Sequence, residues 1–210
     1  MLTACRSVAH PSSDSVPDAR SGSITRVPAT SDSARFAAFV RNIMVGRNGL
    51  TADALCQIVA AAGGLEPRSH LATGNLVFTA PASTLGSIAA GIEDSIEAVL
   101  GRREDVLIRR VADLVAAVRS DPFAVIVDDD VYERCVSFLP QDAGVDLPLP
   151  IETRRGDTVL FGRLCADVLS ITRMVGGRPG QPGKYLEATT GLRVTTRNWN
   201  TIERIVRLEG

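Results

Sequence analysis

Strand and helix signals alternate in the order strand-helix-strand-strand-helix-strand, and the second half of the chain varies that theme. This order predicts an α+β fold of two tandem ferredoxin-like subdomains with mainly antiparallel sheets. A length of 210 residues with 45% apolar side chains is enough to bury cores of that size. The expected division is a disordered tail over 1–34, a first subdomain over 35–125 and a second over 126–210. One merged two-layer domain is the competing architecture.

Residues 1–34 hold eight Ser and three Pro with no aromatic residue. Such a segment cannot offset its own ordering entropy, and an over-long start assignment is the other reading. Phe36-Ala37-Ala38-Phe39-Val40 then reads as a buried strand. Thr51 is placed to cap a helix bearing Ala54, Leu55, Ile58, Val59 and Ala62 on one face, which Gly63-Gly64 ends. Leu76-Val77-Phe78 is the second strand. After Pro81 comes a helix with Leu85, Ile88, Ala89, Ile92, Ile96 and Val99 on its apolar stripe. Val106-Leu107-Ile108 is a third strand. A short helix carrying Val111, Leu114, Val115 and Val118 stops at Ser120-Asp121-Pro122, where the proline restricts the residue before it.

In the second half, Arg134 to Leu139 is strand-like and Pro140 to Pro150 is too rich in proline for a helix. Asp157–Phe161 and Ala166–Arg173 form a hairpin around Gly162-Arg163-Leu164-Cys165. A Gly/Pro loop over Gly176–Gly183 leads to a short helix at Lys184–Ala188, stopped by Gly191. Arg193–Thr196 leads to a terminal helix with Trp199, Ile202, Ile205 and Val206.

The net charge of −1 conceals a segregated distribution: residues 84–146 carry 13 acidic and 6 basic side chains, whereas residues 171–210 carry 7 basic and 3 acidic. The basic end suits an anionic partner, two solvated faces or one side of a subunit contact. Of the 23 basic residues 22 are Arg, and Lys184 is the single Lys. Aromatic residues at 4% argue against a single-stranded nucleic-acid binder built on several stacking platforms. Cys5, Cys56, Cys135 and Cys165 lack zinc-ligand spacing and read as free thiols, the last three as small buried hydrophobes in a cytoplasmic protein. No apolar run is long enough for a bilayer span, so no membrane partner is expected.

The glycine-rich run from Gly176 to Lys184 ends in Gly-Lys, but Arg178 and Tyr185 occupy positions where a Walker phosphate loop needs Gly and Ser or Thr. What remains is a helix N-terminus near Arg178 and Lys184, suited to one phosphate or carboxylate, or else a plain surface loop. Gly46-Arg47-Asn48-Gly49 lacks the third glycine of a dinucleotide fingerprint, although Arg41 and Arg47 sit beside a helix start. No Gly-x-Ser-x-Gly elbow is present, and His70 is the single imidazole outside the tail. Asp128-Asp129-Asp130 reads as a solvated turn, since neighbours on an extended segment point to opposite sides. No metal and no cofactor are assigned.

Val40-Arg41-Asn42-Ile43-Met44-Val45-Gly46-Arg47, Thr73-Gly74-Asn75-Leu76-Val77-Phe78, Ser120-Asp121-Pro122-Phe123, Lys184-Tyr185-Leu186 and Arg197-Asn198-Trp199-Asn200-Thr201 occur in that order. Together they resemble the motifs of a bacterial family designated domain of unknown function 1697, over roughly residues 35–207. The first motif departs at Asn42, Met44 and Arg47, where the family carries Gly, Asn and Gly. The resemblance implies two ferredoxin-like subdomains and no activity. Its motif positions gather Arg, Asn, Gly, Lys and Trp without a Ser-His-Asp set. Arg197 can fork onto a carboxylate or phosphate, and Asn198 can donate or accept. Trp199 serves either as a stacking surface or as a packing anchor, and Asn75 either orients a ligand or forms a turn.

The leading functional reading is a non-catalytic module that binds an anionic small molecule or a nucleic-acid segment. Its candidate site is Arg41, Arg47, Asn75, Arg178, Lys184, Arg197 and Asn198, with Gly46, Gly74, Trp199 and Thr201 as motif or packing positions. The alternatives are an enzyme using Lys184 or Arg197 with a carboxylate, and a structural or assembly protein of unknown oligomeric state.

Overall fold

The computed structural model describes residues 32–127 and 129–210. The expected tail therefore lies outside the described residues apart from its last three, and Ser33 and Ala34 are already paired with Pro81 and Ala80. The first strand, β1 (Ser33–Val40), is central and apolar on both faces. Helix α1 (Ala52–Ala61) follows, with Thr51 Oγ1 accepting from the Ala54 amide at 3.1 Å as an N-cap. Next come β2 (Leu65–His70), β3 (Asn75–Pro81), α2 (Leu85–Leu100) and β4 (Val106–Arg110). The strands form an antiparallel sheet in the order β2-β3-β1-β4.

Strand β2 has the sequence Leu-Glu-Pro-Arg-Ser-His, which carries no apolar run. It pairs nonetheless because it is an edge strand, where Pro67 and an irregularity between Leu65 and Arg68 are tolerated. Leu55, Val59, Ile88, Ile92 and Ile96 from the helices cover one face of the sheet, packing on Phe36, Ala38, Val40, Leu76 and Phe78. Val99, expected on that stripe, is 48% exposed, since it lies in the last turn of α2.

The chain continues through α3 (Val111–Arg119), β5 (Glu133–Phe138), β6 (Ile151–Glu152), β7 (Thr158–Leu164) and β8 (Asp167–Thr172). Then follow β9 (Met174–Val175), β10 (Arg178–Pro179), α4 (Pro182–Thr190), β11 (Thr195–Asn198) and α5 (Trp199–Glu209). The second sheet is antiparallel in the order β11-β5-β8-β7-β6. The protein is thus a mixed α/β structure with antiparallel sheets.

Three details differ from the sequence reading. The hairpin turn is not Gly162–Cys165: β7 runs on to Leu164, with its register shift between Leu160 and Gly162, and the turn is Cys165-Ala166. Cys165 is consequently exposed at φ +53° rather than buried, whereas Cys135 is buried and Cys56 half-buried. Within the Gly/Pro loop, Gly176 and Gly177 both have positive φ and close the small β9–β10 hairpin, and α4 starts at Pro182, a favoured first helical residue.

The two sheets share an interior. Ala37, Phe39 and Val77 of the first meet Val136, Phe138, Leu169 and Ile171 of the second, and Leu114 of α3 and Trp199, Ile202 and Ile205 of α5 complete the layer. Phe39 and Phe138 stack with centroids 4.1 Å apart. Full burial of each such ring contributes about 1.5–3 kcal/mol. The far face of the second sheet carries a smaller cluster of Leu139, Leu147, Leu160, Val168, Leu186 and Val194 beneath α4 and the Pro140–Pro150 segment. Among the described residues no helix is long and apolar enough to cross a membrane.

Candidate functional site

The sequence candidates divide into two groups. Arg41, Asn75 and Arg197 meet at the seam between the sheets. Arg197, 8% exposed on β11, donates through Nε to Asn75 Oδ1 at 2.7 Å and through Nη2 to the Val40 carbonyl at 2.7 Å. Its Nη1 reaches Thr195 Oγ1 and the Thr196 carbonyl, both at 2.9 Å. None of these partners is a carboxylate, and burial lowers the guanidinium pKa to about 10. Asn75 is fully buried and uses its amide nitrogen on the His70 carbonyl and Thr73 Oγ1, at 3.0 and 3.1 Å. Gly74 before it has φ +69°, and a Cβ there would lie 2.5 Å from Ile43 Cγ1, so this turn requires glycine. Arg41 holds Glu187 of α4 at 2.7 Å and Glu104 at 3.5 Å. The hydrogen-bonding groups of these three residues are spent on ties between elements of the protein.

A second cross-sheet tie was not legible in the sequence. Arg109 of β4 donates to Asp167 of β8 through Nε at 2.7 Å and through Nη2, and Nη2 also reaches the Leu139 carbonyl. Burial pushes the Asp167 carboxyl up against the opposing pull of Arg109. His70 is engaged as well, with Nε2 at 2.8 Å from Glu209 Oε1 at the end of α5.

The remaining candidates lie elsewhere. Arg47 and Gly46 occupy an exposed loop, where a Cβ on Gly46 would meet nothing within 4 Å. Asn198 caps α5 by accepting from the Asn200 amide at 3.0 Å. Trp199 is 4% exposed in the shared core beside Phe123, and Thr201 is half-buried. Arg178 and Lys184 are exposed at the approach to α4 and on its first turn.

Arg178 opens onto a cleft of about 580 Å³ between the β6–β7 turn, the β10 strand and α4. Thr153, Arg154, Arg155, Asp157 and Thr158 form one wall, and Arg178, Pro179, Gln181 and Tyr185 the other. Arg155 pairs with Asp157 at 3.2 Å and donates to the Val175 carbonyl at 2.7 Å. Thr153 Oγ1 donates to Asp157 Oδ1 at 2.7 Å. The guanidiniums of Arg154 and Arg178 are exposed and have no hydrogen-bond or ion-pair partner among the described residues. Gln181 makes no side-chain cap, and Pro182 has no N–H, so the first-turn amides of Gly183 and Lys184 are donors without helical acceptors. The arrangement favours negative charge through both the guanidiniums and the helix terminus. Among the described residues Asp157 is the one carboxylate on the lining, engaged by its neighbours, and no imidazole or thiol lines the cleft. Sequence reasoning reached Arg178 and the α4 terminus but missed Arg154, Arg155 and Thr158. The Arg154-Arg155-Gly156 run before a strand was the signal available.

A model of the family described as Protein of unknown function (DUF1697) matches residues 34–158. The chain belongs to this family. The DUF1697 match spans the first sheet from the second residue of β1 and ends at the first residue of β7, so Arg154, Arg155 and Thr158 fall within it and Arg178 and Tyr185 beyond it. Among solved structures, the conserved bacterial protein SP0830 from Streptococcus pneumoniae is similar to this chain with a TM-score of 0.56 at 19% identity. The similarity covers 84% of this chain and 98% of that one. At such identity the likeness is one of fold. No curated protein matches the sequence.

Proposed function

We propose that this DUF1697 member is a non-catalytic binding module for a small anionic ligand held in the cleft between Arg154, Arg178 and the start of α4. The observation that carries the reading is the pair of guanidiniums without counter-ions facing a concave site. Three arginines and one aspartate on the lining leave a formal excess of two positive charges. The volume lies in the range typical of small-molecule sites. A nucleic-acid strand would need a longer basic track with several stacking rings, and Tyr185 is the single aromatic residue on the lining. Arg41, Asn75 and Arg197 then serve as architecture, and Lys184 adds charge beside the mouth.

The finer architecture belongs to the same proposal. In each sheet the strands β2-β3-β1-β4 and β11-β5-β8-β7 follow the order expected of a ferredoxin-like unit, with the Pro140–Pro150 segment in place of one helix of the second unit. The thiols of Cys56 and Cys135, which form no disulfide among the described residues, suit a reducing cytoplasm.

The reading is tested by calorimetric titration with pyrophosphate and with single-stranded DNA at low and high salt. Saturable pyrophosphate binding, weakened about tenfold or more by the pair Arg154→Ala and Arg178→Ala, is the expected result. DNA binding with a steep salt dependence and no response to pyrophosphate would replace the small ligand by a strand.

A further inference from the structure

Thr158 sits on the lining of the Arg154–Arg178 cleft at 1% exposure, and its hydroxyl has no hydrogen-bond partner among the described residues. A buried hydroxyl without a protein partner costs stability, and a ligand oxygen would satisfy it. Its cross-strand neighbour Thr172 and the adjacent Ser170 also carry buried hydroxyls without partners, which makes this part of the β7–β8 surface a polar floor. Gly180 borders it closely: a Cβ there would lie 2.3 Å from Thr158 Oγ1 and 2.1 Å from the Asp157 carbonyl. A side chain at that position would clash with both atoms, so the close approach of this backbone to the hydroxyl requires glycine.

We propose that the cleft takes the dianionic phosphoryl group of a compact phosphate monoester, with Thr158 as the inward anchor donating its hydroxyl proton to one phosphoryl oxygen. This rests on the anion-binding reading of the same cleft and adds the ligand class and the anchoring residue. The excess of two positive charges on the lining matches a dianion. A tetrahedral phosphoryl group can present one oxygen to Thr158 while two others accept from Arg154 and Arg178. A carboxylate carries one charge on two coplanar oxygens, so it balances half of the excess on the lining and spreads its acceptors in a plane rather than toward three separate donors. The ester substituent points to the open mouth, where Tyr185 stands. The step is binding alone, with no bond made or broken.

The test compares the full chain with Thr158→Val and Thr158→Ser, measuring melting temperature and the affinity for inorganic phosphate and for phenyl phosphate. Valine keeps the shape and removes a hydroxyl that has no partner in the free protein. Its melting temperature is therefore expected to equal or exceed that of the wild type, with phosphate affinity about tenfold weaker. Serine keeps the hydroxyl and binds as the wild type does, so it carries the test if the valine variant fails to fold. Wild-type affinity in Thr158→Val, with weakened binding in Arg178→Ala, would remove Thr158 from the site and leave the anion cleft standing. Absence of phosphate and phenyl phosphate binding by the wild type at low salt would overturn both.

Discussion

Arg197 carries its charge at 8% exposure among neutral acceptors, and its fork is what joins β11 to β1 and β3. Truncation removes the donors to Asn75 Oδ1 and to the Val40 and Thr196 carbonyls at once, leaving buried acceptors unmatched. Arg197→Ala is expected to lower the unfolding free energy by about 3 kcal/mol or more, read from chemical denaturation. A loss below about 1 kcal/mol would show that the seam does not depend on this guanidinium. The same logic in reverse applies to Thr158, whose hydroxyl has no partner to lose. Both residues are buried and polar, and only their hydrogen bonds separate an architectural role from a ligand-facing one. That distinction is invisible in sequence: Arg197 in an Arg-Asn-Trp motif reads as an anion fork, and only the placement of β3 and β1 beside it reveals what the fork holds.

Helix α5 ends in Glu209, a carboxylate at the helix terminus where the macrodipole disfavours it. Burial also pushes its pKa up, but Arg35 at 2.6 Å, His70 at 2.8 Å and Arg68 at 3.4 Å outweigh this and hold it below the ordinary glutamate range. The folded value is therefore lower than the unfolded one near 4.3. The stability this latch contributes is present above that value and is lost as pH falls through the folded pKa. Melting curves of wild type and Glu209→Gln are expected to differ by a constant amount above about pH 5 and to converge in acid. A gap that widens on acidification would reverse the assigned shift. Elements with strong local signals were legible: the Thr51 cap, the stripe of α2 and the apolar run of β1. Those set by pairing were not. β2 is held by its neighbour rather than by its own residues, and the β7–β8 turn moved because a glycine inside a strand interrupts the pattern without ending the ladder. The cleft was half legible for the same reason, since a helix start announces itself locally and the wall it faces does not.

At the scale of the molecule, two sheets of similar strand order share an interior, and each carries a separate cluster on its other face. Ala37, Phe39 and Val77 would lose their cover from the second sheet in a chain ending near residue 125, and Phe39 would lose its stacking partner Phe138. A fragment over 32–125 is thus expected to show exposed apolar surface and poor amide dispersion, while residues 32–210 fold cooperatively. A well-dispersed, cooperatively melting fragment would mean that the first unit is autonomous. The shared interior also keeps the cleft away from the seam, on the opposite face of the second sheet beside α4, so a ligand site there is compatible with a rigid body behind it. The charge segregation takes its place in this arrangement, since Arg178 and Lys184 bring part of the basic C-terminal segment to the cleft and Arg154 and Arg155 add to it. The most direct measurement is an amide chemical-shift map recorded on addition of inorganic phosphate. Anion binding at the cleft predicts saturable shifts concentrated at Thr153–Thr158 and Gly180–Tyr185, whereas shifts centred on Arg41–Arg47 and Asn198, or none at all, would contradict it.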